Sequence, residues 1–118
     1  AVGQVALITD RDTVVAVSGA PKKEFLNKPI GSLVEAAMEE RRTLVVGGKA
    51  EARIKGSVVG DEEEETKFTA AVIAPIVAEG DPLGAVCICS REPDAQMTQL
   101  EIKLAETAAA FLAKQMEQ

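Results

Sequence analysis

The feature that most constrains this chain is a pair of apolar runs joined by a short polar break. Phe68 to Val77 reads FTAAVIAPIV and Leu83 to Ser90 reads LGAVCICS, with the turn residues Glu79-Gly80-Asp81-Pro82 between them. Runs of this kind bounded by turn residues read as strands, and a break this short closes them into a hairpin. Neither run alternates apolar with polar residues. A strand that is apolar on both sides needs cover on both faces. The hairpin is therefore expected near the centre of a sheet, with the rest of the chain supplying two covering layers.

Shorter β-branched runs supply the other strands. Gln4 to Thr9 and Thr13 to Ser18 flank the polar turn Asp10-Arg11-Asp12, which predicts a second hairpin. Thr43 to Val46 predicts a short strand before Gly47-Gly48, and Glu51 to Val59 reads as extended but irregular, with Gly56 as a candidate bulge. The expected sheet has about six strands, and short turns between consecutive strands favour antiparallel pairing.

The cover is helical. Lys22 to Lys28 predicts one or two turns with Phe25 and Leu26 facing inward, stopped before Pro29. Ser32 and Glu35 have capping-box spacing, and Leu33, Val34, Ala37 and Met38 share one face of a helix expected from Ser32 to about Arg41. Thr98 and Glu101 repeat that spacing at the head of a terminal helix reaching about Glu117, roughly 30 Å long at 1.5 Å per residue. Leu100, Leu104, Ala108, Phe111 and Gln115 lie near one face of it, and Leu112 and Met116 widen that face. The expected fold class is α+β, a single domain over residues 1–118. Helices cover its central antiparallel sheet, and the C-terminal helix is long.

Composition narrows function. The 118 residues carry 19 acidic and 13 basic side chains, a net charge of −6, and no His, Trp or Tyr. An acidic chain without an aromatic platform is a poor partner for nucleic acid. Lys22-Lys23 and Arg41-Arg42 are its basic doublets. Without His the commonest general base and metal ligand are missing. Neither a phosphate-cradling glycine loop nor a nucleophile elbow is present. The run Asp61 to Glu65 lacks the alternating ligands and central Gly of a calcium loop and reads as a solvated tip. No metal, cofactor or catalytic residue is expected. No apolar stretch approaches the roughly 20 residues of a spanning helix, and no secretory signal opens the chain, so a cytoplasmic location is expected.

Two features leave alternatives open. Cys87 and Cys89 would share one face of a strand. A redox centre needs a cation or helix N-terminus to lower the thiol pKa, and Val86, Ile88 and Ser90 supply neither. Two small buried hydrophobes is the reading taken, with thiol redox chemistry as the alternative that accessibility decides. The apolar face of the terminal helix can pack on the chain's own sheet or on a second copy. Alanines at 105, 108, 109, 110 and 113 permit close helix approach, and one long helix can do both. Leu104, Ala108, Phe111 and Leu112 are the candidate interface residues.

Three stretches carry a resemblance: AVSGAPKKEFLNK at 16–28, APIVAEGDPLGAVCICS at 74–90 and AETAAAFLAKQMEQ at 105–118. Together the chain resembles the C-terminal domain of the stage V sporulation protein T family, transcription regulators of spore-forming bacteria. The resemblance spans nearly the whole chain and is weakest from Glu39 to Thr69. It implies a GAF fold that often senses small molecules, and a homodimer or homotetramer assembled through helices. DNA would be contacted only through an AbrB-like domain ahead of Ala1. A start at Ala1 rather than Met is consistent with a fragment. No ligand residue carries over from the family. A GAF-type pocket would lie between the sheet and the segments 22–38 and 48–68, where an anionic ligand could meet Lys22, Lys23 or Arg53. Each of these also reads as a solubilising charge. A purely structural oligomerisation module with a filled pocket is the alternative.

Overall fold

The computed structural model describes residues 3–47, 56–60 and 68–117. Its elements, in chain order, are β1 (Gln4–Thr9), β2 (Val14–Ser18), α1 (Lys22–Phe25), α2 (Ser32–Glu40), β3 (Leu44–Gly47), β4 (Ala70–Ala78), β5 (Asp81–Ser90) and α3 (Gln99–Met116). The sheet order is β2-β1-β5-β4-β3, and every neighbouring pair is antiparallel.

The two apolar runs are β4 and β5, paired from Ala70 opposite Ser90 to Ala78 opposite Asp81. β5 is the middle strand and β4 lies beside it, as double-sided apolarity predicts. Glu79 and Gly80 close the hairpin with φ of 53° and 86°. Two consecutive positive φ values are the mark of a type I′ turn, whose twist matches that of the strands it joins. Gly84 lets β1 approach β5. A Cβ there would lie 1.9 Å from the Thr9 carbonyl oxygen.

Cover is present on both faces. On the inner face Val5, Leu7, Ala71, Ile73, Ala85, Cys87 and Cys89 lie under Phe25, Val34, Ala37, Met38, Val58 and Val59. Each fully buried Val, Leu, Ile or Phe there contributes about 1.5–3 kcal/mol. On the outer face Val72, Ala74, Ile76 and Val86 lie under Ala105, Ala109 and Ala113 of α3. No helix among the described residues is long and apolar enough to cross a membrane.

Three local expectations are corrected. The sheet has five strands among the described residues, not about six. Residues 51–55 lie outside the described residues, and Val59 makes only an isolated bridge to Ile30. The backbone of this segment is engaged elsewhere. Ser57 O accepts from Leu33 N, Val58 O accepts from Gly31 N, and Gly60 N donates to Pro29 O. That engagement also removes the expected capping box at Ser32. The N-cap is Gly31 with no side-chain cap, and the Ser32 hydroxyl accepts from Ser57 N instead. A neighbouring carbonyl satisfies a first-turn N–H that a cap would otherwise serve. Finally, α1 is a single turn. Phe25 is buried, but Leu26 is exposed, because its extended backbone (ψ 133°) and the positive φ of Asn27 turn the chain outward.

Candidate functional site

α3 is built from its first turn. Thr98 caps it with both halves of the capping box formed, as its spacing with Glu101 predicts. Thr98 N donates to Glu101 Oε1 at 2.7 Å, and Gln4 Nε2 donates to Glu101 Oε2 at 3.0 Å. The carboxyl is held well below its ordinary value, at about 2, chiefly by the Thr98 hydroxyl, then by the Thr98 N–H and the Gln4 amide. This fixes which side of α3 meets the sheet. Residues four apart stack along one line, so Glu101, Ala105, Ala109 and Ala113 are the buried stripe.

Three larger apolar residues therefore stand exposed, while Ile102 and Leu112 pack against the outer cluster. Leu100, Leu104 and Phe111 are 64%, 54% and 61% exposed. Among the four candidate interface residues, Leu104 and Phe111 are exposed. Ala108 and Leu112 are half-buried along the helix flank. Leu104 and Ala108 also join Ala6, Ile8, Ala16 and Ile88 around an apolar groove of about 330 Å³ on the outer face beside β1 and β2. The alanine stripe was readable only through its spacing from Glu101, since a capping residue tied to β1 sets the phase of the helix.

Under α1 and α2 the described residues form one packed cluster. Phe25 and Phe68 stack with centroids 5.7 Å apart, and the Arg91 guanidinium lies 5.1 and 5.0 Å from their ring centres. Arg91 Nη2 donates to Glu24 Oε2 at 2.6 Å. Lys22 and Lys23 are exposed on α1, and neither lines the groove beside α3 or the polar cavities at the ends of α2. Arg53 and the run Asp61 to Glu65 lie outside the described residues.

Cys87 and Cys89 sit together in the inner core, both fully buried. Burial pushes the Cys87 thiol up to about 12. A neutral, inaccessible thiol is a poor nucleophile. Among the described residues no cluster of three His, Cys, Asp or Glu side chains could hold a metal ion.

Among the described residues, two cavities flank α2. One, of about 560 Å³, lies at the Asp10–Thr13 turn between Asp12, Glu35, Glu39 and Asp81, with Arg11 Nε donating to Pro82 O. The other, of about 260 Å³, lies between Arg41, Arg42 and Thr43 and the side of α3.

Residues 1–117 match the family described as stage V sporulation protein T C-terminal, transcription factor. The chain belongs to that family. It is 44% identical over 116 residues to stage V sporulation protein T of Bacillus subtilis (strain 168), and spans 98% of its own length and 61% of that relative's. Two solved structures show the architecture this sporulation-protein domain shares. The GAF domain of a phosphoenolpyruvate-protein phosphotransferase from Coxiella burnetii has a TM-score of 0.66 at 16% identity, over 96% of this chain and 70% of that one. The type II free methionine-R-sulfoxide reductase from Thermoplasma acidophilum has a TM-score of 0.64 at 14% identity, over 95% and 77%. At such identities the likeness reaches the fold alone, and the fold is that of a GAF domain. The resemblance read from the three stretches is thereby confirmed in family and in architecture.

Proposed function

We propose that this domain is a non-catalytic regulatory module of a cytoplasmic sporulation transcription factor. It senses a small molecule, self-associates through α3, and conveys its state to a DNA-binding domain in the same protein. The carrying observation is the two-sided build of α3. Its alanine stripe is spent on the sheet, while Leu100, Leu104 and Phe111 stand exposed along another line. Apolar residues aligned on an exposed helix face suit a symmetric contact with a second copy. Family membership supports the regulatory role. The buried thiols speak against redox catalysis, although a GAF-fold reductase exists among the structural neighbours. The second reading, a structural module without a ligand, is separated from sensing by ligand-induced stabilisation.

Sedimentation equilibrium tests the interface. Leu104→Glu and Phe111→Glu are expected to lower the assembled mass while leaving the monomer folded, and an unchanged mass removes α3 as the interface. Thermal unfolding across a panel of metabolites tests sensing. A ligand at 100 times its Kd adds about 2.7 kcal/mol. A flat panel favours the structural module.

A further inference from the structure

The smaller cavity beside α2 joins two guanidinium groups to an apolar wall. It lies on the α3 side of the sheet, away from the interior under α1 and α2. Arg41, Arg42 and Thr43 form one wall, and Ala109, Ala110 and Ala113 form the wall facing them.

Arg41 is held in an unusual way. It occupies the C-cap of α2 in the left-handed conformation, φ 54° and ψ 42°. Glycine is the residue usually favoured at such a helix end, because a Cβ is disfavoured there. The guanidinium is then fixed by two carbonyls from different elements. Nε donates to Gly80 O at 2.9 Å and Nη1 to Glu39 O at 3.3 Å. Both partners are neutral, and no carboxylate pairs with Arg41 among the described residues. Arg42 beside it is anchored by Nε to Glu40 Oε1 at 2.7 Å. With Glu40 paired to Arg42 and Glu106 also on the lining, Arg41 is the guanidinium there that no carboxylate pairs among the described residues. Across the cavity the alanines stop at Cβ, leaving an apolar surface in place of side chains.

We propose that this cavity binds a small organic carboxylate. The head group lies on Arg41 and Arg42, and a short apolar tail lies against Ala109, Ala110 and Ala113. A planar fork held by its own hydrogen bonds is pre-organised for a carboxylate. A volume of about 260 Å³ falls below the range typical of drug-sized ligands and suits an acid of a few carbons. The site deepens the sensing reading above, on which it rests for its consequence. The occupant touches α3, the helix that carries the exposed stripe.

The test is a ¹H–¹⁵N NMR titration of the chain with butanoate. Saturable shifts are expected at residues 41–43 and 109–113, and none from butylammonium. Acetate, two methylenes shorter, is expected to bind about tenfold more weakly. Arg41→Gly suits the backbone of the cap, so the rest of the spectrum should hold while butanoate affinity falls at least about tenfold. Arg42→Gln, which leaves the cap untouched, is expected to weaken binding in the same direction. Shifts that do not saturate, that butylammonium reproduces, or that Arg41→Gly leaves unchanged overturn the site. Sedimentation separates this from the broader reading. Butanoate binding with no change in assembly keeps the site and argues against sensing. A metabolite that stabilises the chain without perturbing residues 41–43 keeps sensing and removes the site.

Discussion

Gln4 and Glu101 stand 97 positions apart in the chain, and the Gln4 side-chain amide donates a 3.0 Å hydrogen bond to the Glu101 carboxylate. The other oxygen of that carboxylate accepts from the backbone N–H and the hydroxyl of Thr98. One side chain therefore ties the beginning of β1 to the head of α3.

This carboxylate makes stability depend on acid. Its folded pKa of about 2 lies below the ordinary 4.5, so the folded state favours the ionised form. The contribution is complete above about pH 4.5 and is lost as pH falls toward 2. Glu101→Gln keeps a capping-box side chain but removes its charge, and is expected to cost about 1 kcal/mol at pH 7, the difference between charged and neutral hydrogen bonds. It should also flatten the acid limb. Urea unfolding at stepped pH reads both effects, and parallel curves for the two proteins would count against the account.

The buried thiols give a kinetic prediction. Cys87 and Cys89 should react with a thiol reagent only as fast as the chain opens, because neither sulfur meets solvent. Cys87→Ser places a hydroxyl in an apolar core and is expected to cost about 1–3 kcal/mol. Labelling of the native protein within seconds would revive the redox alternative.

Arg91 should not be replaceable by lysine. Its guanidinium faces two rings at about 5 Å and also bonds Glu24. Lysine keeps the charge but has no planar face. Arg91→Met is expected to lower stability by about 0.5–2 kcal/mol, as a partly exposed cation–π contact implies, and Arg91→Lys by a smaller part of it. Thermal unfolding in which lysine restores the full midpoint would show that charge alone is enough.

The two sides of α3 should respond oppositely to size. Ala109 is 4% exposed against the sheet, whereas Phe111 is 61% exposed. Ala109→Leu overpacks the outer face and is expected to cost about 1–3 kcal/mol. Phe111→Ser should shift monomer stability by no more than about 0.5 kcal/mol, as for an ordinary surface site. Denaturant unfolding at concentrations too low for association measures both.

The elements legible in the sequence are those whose causes are local. The β4–β5 hairpin follows from its apolar runs and turn residues, and the α3 cap follows from Thr98 and Glu101 three positions apart. Ser32 and Glu35 have the same spacing and form no box, because Ser57 serves the first turn of α2 from 25 positions away. The face of α3 was legible as apolar, but its direction was not. Leucines and a phenylalanine make the stronger pattern, yet the alanines fit the narrow space over β4 and β5. Arg41 and Arg42 read only as a basic doublet. Their meeting with Ala109 and Ala113 depends on how α2 ends and where α3 lies, which no short window contains.

Alanine at 105, 109 and 113 gives α3 an underside with little relief. Such residues have no rotamers to freeze on burial and no atoms beyond Cβ to lodge between neighbours. The knot of Thr98, Glu101 and Gln4 fixes one end of the helix, and Ile102 and Leu112 pack beside the alanines farther along. A small rotation about that knot is magnified along the 18 residues of the helix, so Phe111 travels farther than Leu100 for the same turn. The helix is placed like a pointer on a dial, pivoted at the start of β1.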